Sequence, residues 1–309
     1  MRWLRKIAVA LACLLIAAAA IGYIGDRMAT ARERAAHPPS GKLVDIGGYR
    51  IHLYCSGSGS PTVLLDAGFF DSLEQWKLVQ PELAKNTRVC AYDRAGMGWS
   101  DPSPYPQTAR QIAKEFHAAL VAAGEHGPYV VVGHSIAGLY ARLFADEFPH
   151  EVVGLVLEDS VSPDECDTFP TQCPDRPFLF GAVEFASNFG LTRVLPFCHQ
   201  TGARPDCAKY IHAVLEQAKY TKESHEQAKQ IRNYGALPVL VLAHDPKIGL
   251  DKPPDPMHEI AWTKWQQQLA HLSSDSTLIV VPGVGHEIQT QRPEMVVHAI
   301  EALIQRTKA

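Results

Sequence analysis

The sequence has no cluster of basic residues. Its 29 lysines and arginines are scattered among 33 acidic residues, and the formal net charge is -4. That leaves no electrostatic footprint for nucleic acid, and this class of partner is set aside. No C-x-x-C pair occurs and the histidines do not fall at ligand spacing, so nothing resembles a zinc site. A composition of 46% hydrophobic and 20% charged residues is that of an ordinary globular protein, which excludes a disordered chain.

The N-terminus carries what the rest of the chain lacks, a long apolar run. Arg2, Arg5 and Lys6 precede an uninterrupted stretch from Ile7 to Ile24, and the chain turns polar at Asp26-Arg27. This predicts a secretory signal or signal anchor over residues 1–34. As a helix the run spans about 27 Å at ~1.5 Å per residue, close to the ~30 Å hydrocarbon core, so it can stay in the bilayer as well as be cut. Small residues at Ala17-Ala18-Ala19 and Ala29-Thr30-Ala31 permit cleavage. The positive-inside rule then places everything after Asp26 outside the cytoplasm, in the periplasm or beyond, or anchored to the membrane. Leu11-Ala12-Cys13 is a poor lipoprotein site, because the apolar run continues past Cys13. The other six cysteines are an even number, which fits disulfides in an oxidising compartment.

Residues 35–41, with Pro38-Pro39, read as a linker. Beyond it the chain alternates β-type runs with helical ones. Strands are expected at Lys42-Ile46 and Tyr49-Cys55, joined through Gly47-Gly48, and at Thr62-Asp66, Thr87-Asp93, Tyr129-Val132, Val152-Glu158, Pro238-Ala243 and Thr277-Val281. Helical spacing appears over residues 72–85, 107–123, 256–271 and after Pro293. Such alternation means a mostly parallel sheet in an α/β protein. It stops between Ser160 and Gly235, a stretch with four cysteines and six phenylalanines, Phe169, Phe178, Phe180, Phe185, Phe189 and Phe197.

At the centre of the alternation, Tyr129-Val130-Val131-Val132 meets Gly133-His134-Ser135-Ile136-Ala137-Gly138 and then a helical run. A sharp strand-to-helix turn holds its central residue at positive φ and pushes that side chain above the sheet. Ser135 is that residue. The turn also offers unpaired N–H groups and the positive end of a helix dipole.

The pattern resembles the nucleophile elbow G-x-S-x-G of the α/β-hydrolase family, with Ala137 at the fifth position and the glycine one residue later, at Gly138. Ala67-Gly68-Phe69-Phe70 is similar to that family's His-Gly loop, with Ala67 in place of histidine. Asp93-Arg94-Ala95-Gly96-Met97-Gly98-Trp99-Ser100 is similar to the glycine-rich loop after its fourth strand, and is not a dinucleotide fingerprint. Gly283-Val284-Gly285-His286 matches the loop where the family keeps its general base. The resemblance covers essentially everything from Lys42 onward.

It implies an α/β-hydrolase fold: a mostly parallel eight-stranded sheet flanked by helices, with a cap inserted after the sixth strand. Residues 42–159 and 236–309 would form the core and 160–235 the cap, whose phenylalanines are expected to form mainly its own small core. The implied chemistry is acyl transfer to water, carboxylic ester hydrolysis first, with no metal and no organic cofactor. Ser135 would be the nucleophile, His286 the base, and the N–H groups of Phe69 and Ile136 the oxyanion hole. His134 is expected to point away from the site. Two candidates stand for the acid, Asp159 after the sixth strand, placed slightly ahead, and Asp245 after the seventh. Amidase, aminopeptidase-like or peroxidase-like activity, or a non-catalytic binding protein on the same fold, are the alternatives. The partners implied are a small-molecule ester and, through an uncleaved N-terminus, the membrane. Because the second and fourth strands are neighbours in that fold, Cys55 would pair with Cys90. Cys166 with Cys173 and Cys198 with Cys207 are the short-loop pairings in the cap, crossed pairings and free thiols staying open.

Overall fold

The computed structural model describes residues 2–173, 177–194, 206–250 and 255–307. Eight strands form one sheet: β1 (Lys42–Asp45), β2 (Arg50–Ser56), β3 (Thr62–Asp66), β4 (Val89–Tyr92), β5 (Tyr129–His134), β6 (Val152–Glu158), β7 (Val239–Ala243) and β8 (Ser276–Val280). Their spatial order is β1-β2-β4-β3-β5-β6-β7-β8. β2 runs antiparallel to both β1 and β4, and every other pairing is parallel. The fold is an α/β-hydrolase fold, as the sequence led one to expect.

The physical reason for the arrangement is the near-continuous apolar sequence of β3 and β5 to β7. Val63, Leu65, Val130, Val132, Val156 and Leu242 pack into one buried cluster, while Leu64, Val131, Leu155 and Val241 pack into another. Strand periodicity of two thus feeds two layers, one on each face of the sheet, and helices must cover both. Each such fully buried Val or Leu contributes roughly 1.5–3 kcal/mol relative to exposure.

The main helices are α1 (Arg2–Ala36), α2 (Ala109–Ala123), α3 (Ala137–Glu147), α4 (Pro177–Ser187), α5 (Cys207–Lys219), α6 (Thr221–Lys229), α7 (Pro256–Leu269) and α8 (Pro293–Arg306). Thr108 caps α2 by accepting from Gln111 N–H, and Gly124 ends it in the left-handed region, where glycine carries no Cβ penalty. Two expectations need correction. The helical spacing over 72–85 yields only a 3-10 turn at Leu73–Trp76 and one short helix at Gln80–Leu83, because Pro81 forces a fresh start there. Helix α1 runs on to Ala36, past the expected start of the linker at residue 35, and is long and apolar enough to cross a membrane.

Disulfides join Cys55 to Cys90 and Cys166 to Cys173. The first pair sits directly across β2 and β4, with Cα atoms 4.0 Å apart. The pairing expected between Cys198 and Cys207 involves Cys198, which lies outside the described residues. Among the described phenylalanines after β6, Phe178 and Phe185 do not join a buried core, although Phe185 meets Phe189 edge-on. Phe178 is 92% exposed and Phe185 68% exposed, and Phe169 packs edge-on against His258 and Trp265 of α7. Phe197 lies outside the described residues.

Candidate active site

The turn between β5 and α3 holds Ser135 at φ +56°, in the left-handed region that a non-glycine residue occupies only when its surroundings impose it. Those surroundings are tight. A Cβ on Gly133 would lie 2.3 Å from the Ala137 carbonyl oxygen, and one on Gly138 would lie 2.1 Å from Ser160 Oγ. The close approach therefore falls on Gly138, against Ser160 just past β6, and not on the buried Ala137, which fits alanine at the fifth position of the turn.

A second left-handed residue stands beside the first. Asp159, just past β6, has φ +42° and is fully buried. The two turns are stitched together: Ser135 N–H donates to the Glu158 carbonyl (3.0 Å), and Val161 N–H to the Ser135 carbonyl (3.2 Å).

Asp159 carries the densest set of polar contacts in the site. Its Oδ2 lies 2.6 Å from His286 Nδ1. Its Oδ1 accepts from Trp262 Nε1 (3.0 Å) and from His244 N–H (3.2 Å), and His244 Nδ1 lies 2.9 Å from both carboxylate oxygens. Burial alone would raise the Asp159 carboxyl, but the hydrogen bonds from His244 and His286 outweigh it and hold the group well below the usual carboxylate range. Asp245 is engaged elsewhere. Its carboxylate accepts from Gly283 N–H (2.9 Å) and Lys247 N–H (3.0 Å), so it ties the loop after β7 to the loop after β8. Those backbone bonds lower its pKa, and neither bond involves His286. Of the two carboxylates, only Asp159 is brought to the histidine.

Cavity lining places Ser135, Ile136, Phe69 and His286 around one space of about 390 Å³. Among the described residues, neither the Phe69 nor the Ile136 amide has a protein acceptor. His134 does not point away, contrary to expectation. Its Nε2 donates to the His286 carbonyl (3.1 Å), the two rings lie 4.6 Å apart, and it lines the same cavity. Burial pushes its pKa down to about 3, so it stays neutral. The bare Nδ1 faces Gly68, where a Cβ would come within 2.9 Å.

Three polar residues that sequence reasoning missed shape the site. The buried Arg94 guanidinium donates from Nη1 to Asp66 Oδ1 (2.8 Å) and to the Ala67 carbonyl, and from Nη2 to the Gly68 and Phe69 carbonyls. In a trans peptide the carbonyl and the following N–H point oppositely, so anchoring Gly68 C=O turns Phe69 N–H away from Arg94. Gln75 accepts from Gly68 N–H (2.8 Å) and donates to Asp71 and Glu287, pinning the same loop from the other side. The third is His244. Arg94 was visible as part of a loop motif, whereas nothing local marked Gln75 or His244.

Known proteins bear on this geometry. The model of a family described as "Alpha/beta hydrolase family" matches residues 55–299. The uncharacterised protein YqjL of Bacillus subtilis is 27% identical over 260 residues, spanning 84% of this chain and 90% of its own length. A 2-hydroxymuconate semialdehyde hydrolase of Pseudomonas sp. (strain CF600) is 32% identical over 125 residues, 40% of this chain and 44% of that protein. Among solved structures, a thermophilic esterase from Thermogutta terrifontis aligns at a TM-score of 0.64 with 22% identity, covering 86% of this chain and 97% of that one, a likeness of fold.

Proposed function

The chain belongs to the alpha/beta hydrolase family, and from that membership we propose that it is a serine hydrolase cleaving carboxylic esters through an acyl-enzyme. In this reading Ser135 Oγ attacks the ester carbonyl while His286 Nε2 takes the hydroxyl proton. Asp159 holds Nδ1–H, which fixes the tautomer and balances the imidazolium as it forms. The oxyanion falls to the amides of Phe69 and Ile136, each such donor contributing about 10²–10³ in rate. His286 then returns the proton to the leaving alcohol, and water repeats the attack on the acyl-enzyme.

The observation that carries the reading is the 2.6 Å contact between His286 Nδ1 and Asp159 Oδ2. With Nδ1 so engaged, the ring's other nitrogen is the one left for Ser135, which lines the same cavity. Residues 160–235 act in this account as a cap over the site. The apolar α1 and the two disulfides support a catalytic domain outside the cytoplasm, either exported or held at the membrane. The test is labelling with a fluorophosphonate probe followed by hydrolysis of paired aryl esters and anilides. Ester turnover far above anilide turnover supports the reading; an unlabelled, inactive protein would instead be a binding protein on this fold.

A further inference from the structure

His244 stands at the end of β7, beside the aspartate that the site does not use. Its two ring nitrogens both face carboxylates. Nδ1 lies 2.9 Å from each oxygen of Asp159, and Nε2 lies 2.9 Å from Glu259 Oε2 on α7. A neutral imidazole has one N–H and one bare nitrogen, so it cannot donate in both directions, and a carboxylate cannot donate to the bare one. The bonds are satisfied together when the ring carries both protons.

We infer that His244 is a charged positioning residue: an imidazolium clamped between Glu259 and Asp159 that keeps Asp159 ionised and aims its Oδ2 at His286. The inference rests on the reading of Asp159 and His286 as acid and base. Four polar groups bond to Asp159, namely His286 Nδ1, His244 Nδ1, His244 N–H and Trp262 Nε1; the buried Glu158 carboxyl beside it is raised well above the usual carboxylate range by burial and by Asp159 itself, and neutral His134 lies near. The charged and titratable groups around His244 itself are Asp159 and Glu158 from the end of β6, Glu259 from α7, His286 beyond Asp159, and Asp245 next in sequence. Burial alone would lower the His244 pKa, but its bonds to Asp159 and then Glu259 raise it to about 9.

The arrangement alternates in sign from Glu259 through His244 and Asp159 to His286. The fixed cation offsets part of the Asp159 charge and holds that carboxylate in its ionised form. The device also accounts for the position of the acid. A carboxylate at the end of β6 has a cationic partner supplied by the end of β7, so Asp245 is free to serve the loops.

The test uses the full-length protein with His244→Gln, which keeps an N–H donor toward Asp159 but no charge, and Glu259→Gln, which removes the carboxylate charge and leaves an amide oxygen as acceptor. Both variants should retain fluorophosphonate labelling. The acidic limb of the His244→Gln kcat/KM profile for an aryl ester should move to higher pH by about one unit, because Asp159 without the cation takes up a proton more readily, with KM little changed; Glu259→Gln should instead lower the pH at which the His244 ring loses its second proton. NMR titration of the His244 ring in wild type should show it doubly protonated at pH 7, a readout that needs no activity. An unmoved acidic limb in His244→Gln, or a neutral His244 at pH 7, would overturn the inference. A doubly protonated His244 in a protein that no probe labels would sink the hydrolase reading and leave the clamp standing as a structural fact.

Discussion

His286 Nδ1 and Asp159 Oδ2 lie 2.6 Å apart, although 127 residues separate them in the chain. The contact forms because Asp159 is held in a left-handed turn that Ser135, in a left-handed turn of its own, helps to stitch. One strained hinge thus presents the proposed acid and the proposed nucleophile together.

Replacing Ser135 or His286 by alanine should lower kcat by roughly three to six orders of magnitude, since members of such a unit are strongly non-additive. Melting curves should stay close to wild type. Ser135→Ala retaining a tenth of the esterase activity would refute the assigned roles.

The two aspartates should part company. Asp159→Asn is expected to cost about 10⁴ in kcat, the scale seen when a triad acid is neutralised. Asp245→Asn should change kcat little and act instead on the loops it ties, seen as faster proteolysis near Lys247. Comparable small losses in both would remove Asp159 from the mechanism.

Arg94→Lys keeps a charge beside Asp66 but cannot reach the carbonyls of Ala67, Gly68 and Phe69 together. Loss of that anchoring should free the Phe69 amide and lower kcat by about 10² with a smaller change in KM. An effect confined to KM would mean that the guanidinium serves binding and not the oxyanion loop.

Stability should depend on pH through the same cluster. His244 is raised from 6.5 to about 9, so its contribution is complete below about 6.5 and is lost as the pH climbs through about 9. Asp159 is depressed below 3.8, so its contribution holds above that value and is lost as the pH falls through its depressed one. The melting temperature of wild type should therefore decline between pH 7 and pH 10, and His244→Gln should flatten that decline. Parallel curves for the two proteins would contradict the charge assigned to His244.

How much of this was legible in the chain follows from the range of each interaction. The strands and the elbow are local patterns of apolar residues and small turn residues, and they appear where the sequence indicates. The choice between Asp159 and Asp245 depends on the path of two loops, which spacing does not encode. His244 meets Asp159 across 85 residues, and its neighbour Asp245 drew attention for its chemistry alone. His134 was misread because a side chain facing off the strand end still reaches the loop carrying His286. Phe178 and Phe185 were misread for a related reason. Aromatic content does not fix which face of a helix is covered, and Phe178 and Phe185 lie on the uncovered one.

The central claim is that Ser135 is a nucleophile activated by the His286–Asp159 pair. Its most direct test is to label the full-length protein with a fluorophosphonate at neutral pH and to map the adduct by peptide mass spectrometry. The account predicts one adduct, on the peptide containing Ser135, lost in Ser135→Ala and strongly slowed in His286→Ala and Asp159→Asn. A folded wild-type protein that takes up no probe, or an adduct on any other residue, would contradict it.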